Sequence, residues 1–273
     1  MGNALILQDD IYRLTGAVVT DPTAAAGFPW SRVRDYRDYL AAKPASSGDK
    51  DYDVDLGTGG GGTPGAKKPD TLGILGHNLV GKTIEVYEGA AFPPATLVKT
   101  VVVPADRIVL RYDAAAWTSK RYHRIRFKAL ATSSQVSEVH LGRALVFPQG
   151  IDWEQFDPQA ERIRGRATRS QEGFALRTVV EFAERSARVQ LSLLTNAFLQ
   201  DTTDPTGFRY WWDNFGARGF PFIWAWNPGD PGAFESDAFW AVVRFDRGID
   251  RALRTPVAGG YRDLALEVQG RKE

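Results

Sequence analysis

Cysteine is absent from all 273 residues, and that absence excludes a disulfide framework, a thiolate zinc site and a cysteine nucleophile. Histidine is scarce, with only His77, His123 and His140. No two of them share a helical or strand-skip spacing that would place both on one metal. Charge of one sign is lacking as well: 34 Lys and Arg against 33 Asp and Glu leave a formal net charge of +1. No global field therefore draws nucleic acid or an anionic membrane. No window reaches the roughly 20 apolar residues of a membrane span, so no membrane insertion is expected. The short apolar run Ala4–Leu7 is followed at once by Asp9 and Asp10, and the sequence is read as carrying no signal peptide. A G-x-S-x-G nucleophile elbow is missing too.

What is present is alternation. Tyr52, Val54 and Leu56 oppose Asp51, Asp53 and Asp55; Ile108, Leu110 and Tyr112 oppose Arg107 and Arg111; His123, Ile125 and Phe127 oppose Tyr122, Arg124 and Arg126. Each pattern predicts a half-buried antiparallel strand. Apolar runs at 72–75, 84–87, 97–103 and 136–141 add further strands. In the second half, Phe174, Leu176, Val180 and Phe182 alternate, as do Val189, Leu191 and Leu193. Further alternation follows at Phe239, Val243 and Phe245, and at Leu264, Leu266 and Val268. Many short strands with Gly and Pro turns predict a mainly β chain of sandwich or barrel type. The length suggests two domains at roughly 150 residues each, and the change of pattern across 147–158 puts their boundary near Gly150, giving 1–149 and 150–273.

Two helices are expected. Ser31–Ala42 places Val33, Tyr36 and Leu40 on one face. A second, near 204–215, has Asp204 as cap, Pro205 at the first position and Gly216 as stop, with Phe208, Trp211, Trp212 and Phe215 on one face. The glycine-dense stretch 57–68 reads as a flexible surface loop; it lacks the order of a phosphate loop.

Within the first half, Asp53-Val54-Asp55-Leu56-Gly57, Leu72-Gly73-Ile74-Leu75-Gly76-His77-Asn78-Leu79, Thr83–Tyr87, Arg121–Phe127 and Val136–Gly142 follow one another in an order that resembles the discoidin-type, galactose-binding-like family, in the variant found in phage tail proteins. The resemblance covers about residues 4–147 and implies a jelly-roll β-sandwich. Residues 165–270, with the aromatic helix followed by Gly219-Phe220-Pro221-Phe222-Ile223-Trp224-Ala225-Trp226-Asn227-Pro228, are similar to the β-domains of siphophage distal tail and tail-tip proteins. That second resemblance implies a β-sandwich or barrel with one helix, assembled as a ring, with a hexamer favoured. Together they imply a non-enzymatic structural protein of the virion tail tip or baseplate, made in the host cytoplasm, with tube and hub proteins as partners and a host-surface glycan as a further one. The alternative is a carbohydrate-binding module or adhesin without a tail role.

Candidate residues follow from chemistry. Phe28, Trp30 and Trp117 are candidates for an exposed aromatic platform that grips a sugar. Arg162, Arg164, Arg166 and Arg169 form a basic strip, either a solvated strand face or an ion-paired subunit contact. The row Asp51, Asp53, Asp55 is either solvated or a calcium site; no other cofactor is called for. Asp152, Glu154 and Asp157 form a second acidic group. His77 reads as a turn residue and His123 as a core histidine. Phe220, Phe222, Trp224 and Trp226 read as core with Trp211 and Trp212, or in part as a subunit interface.

Overall fold

The computed structural model describes residues 3–62, 64–105, 108–113, 115–148, 161–169, 175–204, 206–226, 238–243 and 261–271, with the backbone alone over much of 161–183. The chain is mainly β, and every strand pairing among the described residues is antiparallel. In the first half the strands are β1 (Leu5–Asp10), β2 (Val18–Thr20), β3 (Gly48–Asp55), β4 (Thr71–Leu75), β5 (Thr83–Gly89), β6 (Thr96–Val102), β7 (Ile108–Tyr112), β8 (Tyr122–Leu130) and β9 (Glu138–Val146). In the second half, β10 (Glu161–Arg169) and β11 (Ala175–Thr195) precede two short helices, α1 (Asn196–Gln200) and α2 (Phe208–Asn214). Strands β12 (Phe222–Ala225), β13 (Ala238–Val243) and β14 (Tyr261–Arg271) complete it.

Two sheets result. A five-stranded sheet runs β2-β3-β8-β5-β6, and a nine-stranded sheet runs β10-β11-β14-β13-β12-β1-β9-β4-β7. The first sheet packs on β9, β4 and β7 through Tyr52, Val54, Ile84, Val86, Ile125, Phe127, Leu72, Ile74, Val139 and Leu141, a closed sandwich core. The alternation read in β3 and β8 is what fills it: Tyr52 lies opposite Ile125 and Val54 opposite His123. Trp30 sits in the same core against Phe127, with ring centroids 5.6 Å apart. An indole buries roughly 150–250 Å², which at about 25 cal/mol per Å² contributes on the order of 5 kcal/mol.

The two halves share a sheet. β1 pairs on one side with β9 and on the other with β12, so Leu5, Ile6 and Leu7 bridge residues 144–146 to residues 223–225. The nine strands curl until β13 touches β7, enclosing Leu5, Leu7, Leu75, Ile108, Leu110, Ile223, Ala225 and Trp240. The close approach of β1 and β9 depends on Gly142, where an added Cβ would fall 1.5 Å from the Asp9 carbonyl oxygen. Hydrogen bonding therefore crosses between the two expected domains; Gly150 itself lies outside the described residues.

Several expectations are corrected. Ser31–Ala42 is not an α-helix: a single 3-10 turn spans Trp30–Arg34, and Tyr36 takes a left-handed φ of 64°. The second-half helix starts at Phe208, not beside Asp204. Asp204 accepts the Thr206 amide in a local turn, Gly207 is the cap residue, and Pro205 lies outside the described residues. The helix stops at Asn214 before Gly216, and its aromatic face is buried as expected, with Trp211 edge-on to Phe222 at 5.2 Å. Residues 175–195 form one long strand with a bulge near its end, where Leu193 is exposed at φ 58°. Phe222 and Trp224 are core, while Phe220 is exposed at the surface. Phe174, Phe245, Asn227 and Pro228 lie outside the described residues.

Candidate functional site

At one end of the sandwich four connections meet: residues 21–47 between β2 and β3, 76–82 after β4, 103–105 after β6, and 131–137 before β9. They enclose an open cleft of about 640 Å³ lined by Phe28, Arg32, Asp38, Tyr39, Lys43, His77, Asn78, Gln135 and Ser137, among others. Backbone and side-chain bonds tie the loops together. Ala42 N–H donates to the Val136 carbonyl at 2.8 Å. Asn78 donates through Nδ2 to the Ser133 carbonyl at 3.0 Å and accepts the Gln135 amide at 2.8 Å. Gly76 makes the turn at φ 58°, and a Cβ there would sit 2.6 Å from Ser137 Oγ. Both the left-handed backbone and the close approach require glycine.

The long 21–47 connection is pinned from beneath by Trp30, which is only 1% exposed. Its own polar and aromatic side chains are thereby displayed on a fixed base. Tyr39 is 74% exposed and its ring stacks on no other described ring. Lys43 Nζ lies 4.1 Å from the centroid of the half-buried Phe28 ring, and the Arg32 guanidinium 5.6 Å from it. Arg32 also donates to the Ala41 carbonyl at 3.2 Å. His77 is 7% exposed, and burial pushes its pKa down to about 4. Its Nδ1 accepts the Leu79 amide at 3.3 Å, which assigns the proton of the neutral ring to Nε2. Nε2 is buried and without a hydrogen-bond partner. A buried donor left unmatched costs on the order of 1–3 kcal/mol.

A second polar cluster lies beneath the sheet. Arg13 donates through Nη1 to Asp10 at 2.6 Å and to His140 Nδ1 at 2.8 Å, through Nε to the Arg34 carbonyl at 3.0 Å, and through Nη2 to Glu138. Its guanidinium also lies 4.2 Å from the Tyr36 ring centroid. The side chains of Asp10, Glu138 and His140 are fully buried. Burial raises the Glu138 carboxyl to about 8, and burial together with Arg13 holds His140 well below the ordinary imidazole range. Two acids and a histidine thus meet, but around a guanidinium that occupies the space between them. Across the sheet, His140 lies 5.3 Å from Trp240, and Tyr36 lies 5.4 Å from Phe220.

The candidates from sequence fall differently. Trp30 and Trp117 are core residues, 1% and 2% exposed, so neither offers an open face; Phe28 does line the cleft. In the aspartate row, Arg126, Arg124 and Arg121 each grip one carboxylate through two bonds of 2.6–2.9 Å. Those bonds hold Asp51 and Asp55 below their ordinary pKa. No cluster of metal-ligating side chains occurs among the described residues. His123 is a core histidine, its Nε2 donating to the Lys120 carbonyl at 3.1 Å. Arg162, Arg164, Arg166 and Arg169 lie on β10, the outer strand of the large sheet, and their side chains fall outside the described residues, as do Asp152, Glu154 and Asp157. Tyr39, Arg32 and Lys43 escaped the sequence reading; the signal was the connection itself, since a segment as long as 21–47 without regular structure is more often functional than incidental.

No protein family and no curated protein matches the sequence. Solved structures do. The chain is similar to CpGH89CBM32-6 from Clostridium perfringens at 11% identity and a TM-score of 0.38, over 50% of this chain and 99% of that one. It is similar to the family 32 CBM of C. perfringens NanJ in complex with galactose at 11% identity and a TM-score of 0.37, over 50% and 98%. A third is chitosan-binding module 1 of the chitosanase/glucanase from Paenibacillus sp. IK-5, at 13% identity and a TM-score of 0.37, over 49% and 98%. A likeness of this size bears on neither ligand nor activity.

Proposed function

We propose that the chain binds glycans, without turnover, in the loop-end cleft. The observation that carries this reading is a free aromatic ring, Tyr39, standing beside several polar side chains at one open cleft. A pyranose presents an apolar C–H face that packs on an aromatic ring and a fringe of hydroxyls that accept and donate hydrogen bonds. An open pocket with one ring and several planar polar groups suits that shape. Asn78, Gln135 and Ser137 supply further polar atoms around it. Among the described residues Asp38 is the one carboxylate lining the cleft, whereas glycoside hydrolysis ordinarily uses two facing each other. The virion role implied by the sequence resemblance adds a second reading, tail assembly, whose candidate contact is the arginine strip of β10.

The test is binding of the intact chain to an immobilised glycan panel, with Tyr39→Ala as the variant. Tyr39 is exposed, so its removal leaves stability within about 0.5 kcal/mol. Glycan binding that falls about tenfold or more in Tyr39→Ala supports the reading. A panel bound equally by both proteins, or by neither, contradicts it.

A further inference from the structure

Five arginines of the first half, Arg13, Arg34, Arg121, Arg124 and Arg126, each face a carboxylate at 3.0 Å or less. Arg143 lies 3.8 Å from Asp204, and the exposed Arg37 faces no carboxylate among the described residues. Arg32 and Lys43 face none among the described residues, and both line the cleft. Nor are they loose surface chains. Both are half-buried and held over the Phe28 ring, and Arg32 is fixed again by the Ala41 carbonyl. A ring positions a cation through its quadrupole without cancelling the charge, so among the described residues the cleft keeps two oriented positive groups against the single carboxylate of Asp38. His77, neutral above about pH 4, adds none. Held over one ring and lining one cleft, the pair presents an oriented positive edge that suits an anion from outside.

Resting on the glycan reading above, we propose that the ligand is an acidic saccharide. Its sugar ring packs on Tyr39, and its carboxylate reaches Arg32 and Lys43. Arg32 offers the planar fork that suits a carboxylate, and Lys43 offers a point charge.

The experiment is a panel pairing uronate- and sialate-bearing glycans with neutral counterparts of the same linkage, read with the intact chain, with Arg32→Gln/Lys43→Gln, and with Lys68→Gln. Lys68 is an exposed cation in the connection before β4 and serves as the charge control; melting temperatures of all three report folding. Expected are acid-bearing hits bound about tenfold or more above their neutral partners. That margin should disappear in the double variant, persist in Lys68→Gln and shrink as salt rises, because exposed charges are screened over about 10 Å at 0.1 M. Neutral glycans bound as tightly as acidic ones overturn the proposal and leave the glycan reading standing. A panel blank throughout overturns both.

Discussion

The buried cluster and the open cleft are built from the same kinds of side chain, and the contrast between them separates structure from function. Around Arg13, the carboxylates of Asp10 and Glu138, the imidazole of His140 and the ring of Tyr36 take up its donors, charge and face. At the cleft, Arg32 and Lys43 lack a carboxylate, Tyr39 lacks a ring partner, and His77 Nε2 lacks an acceptor. Burial alone does not mark a site; both regions contain a desolvated histidine. What differs is access: the cluster keeps even the unpartnered Glu138 Oε1 buried, whereas Arg32, Lys43 and Tyr39 stand at an open cleft that a ligand can enter.

The contrast can be broken most sharply at Arg13. Arg13→Met would leave the buried Asp10, Glu138 and His140 without their shared donor, a loss of about 3–5 kcal/mol readable by urea denaturation. A loss under about 1 kcal/mol would mean that the cluster does not hold the sheet. The Tyr39→Ala substitution is the mirror image, with large effects on binding and almost none on stability. A pH experiment comes next. The Glu138 carboxyl stands at about 8 against an ordinary 4.5, so its contribution to stability is full below about pH 4.5 and is lost as pH rises through 8. Burial raises Asp9 to about 6 and also raises Asp10 and Asp70, so over the interval from 6.5 to 8 the part due to Glu138 is the difference between the native chain and Glu138→Gln. Unfolding free energy should fall across that interval in the native chain and flatten in Glu138→Gln; parallel curves would contradict the assignment. The smallest effect is expected at His77. With its pKa near 4, ligand affinity should stay level from pH 8 to 5.5, and a drop near pH 6.5 would show the ring to be charged when free.

The strands of the sandwich were legible because alternation in 52–56 and 123–127 survives any choice of partner. Register was not. The aspartate row and the arginine row are both plain in the sequence, yet only the pairing of β3 with β8 sets Asp51 against Arg126 and Asp53 against Arg124. β1 was read only as a short apolar run, too brief to stand out, although it is the strand that joins the two halves. The jelly-roll resemblance anticipated a sandwich, whereas the shared nine-stranded sheet depends on contacts between residues more than 200 positions apart, such as Ile6 with Trp224. At the site, Phe28 was recognised and Trp30 was misplaced for a physical reason. A long loop with little regular structure needs an anchor, and its largest aromatic is used in the sandwich core against Phe127. The expected helix puts Tyr36 with Val33 and Leu40 on one face and leaves Tyr39 aside. In the structure Tyr36 takes a left-handed φ and packs on Arg13, while Tyr39 is exposed at the cleft.

The most direct test of the contrast is hydrogen exchange on the intact chain with and without a saturating glycan from the panel. Protection should rise at 28–43, 76–80 and 131–137, with residues 10–13 and 138–140 unchanged, since their partners are already in place. Protection confined to the loops around Phe92 and Trp117 at the other end of the sandwich, or to the β10 strip, would contradict the cleft as the site.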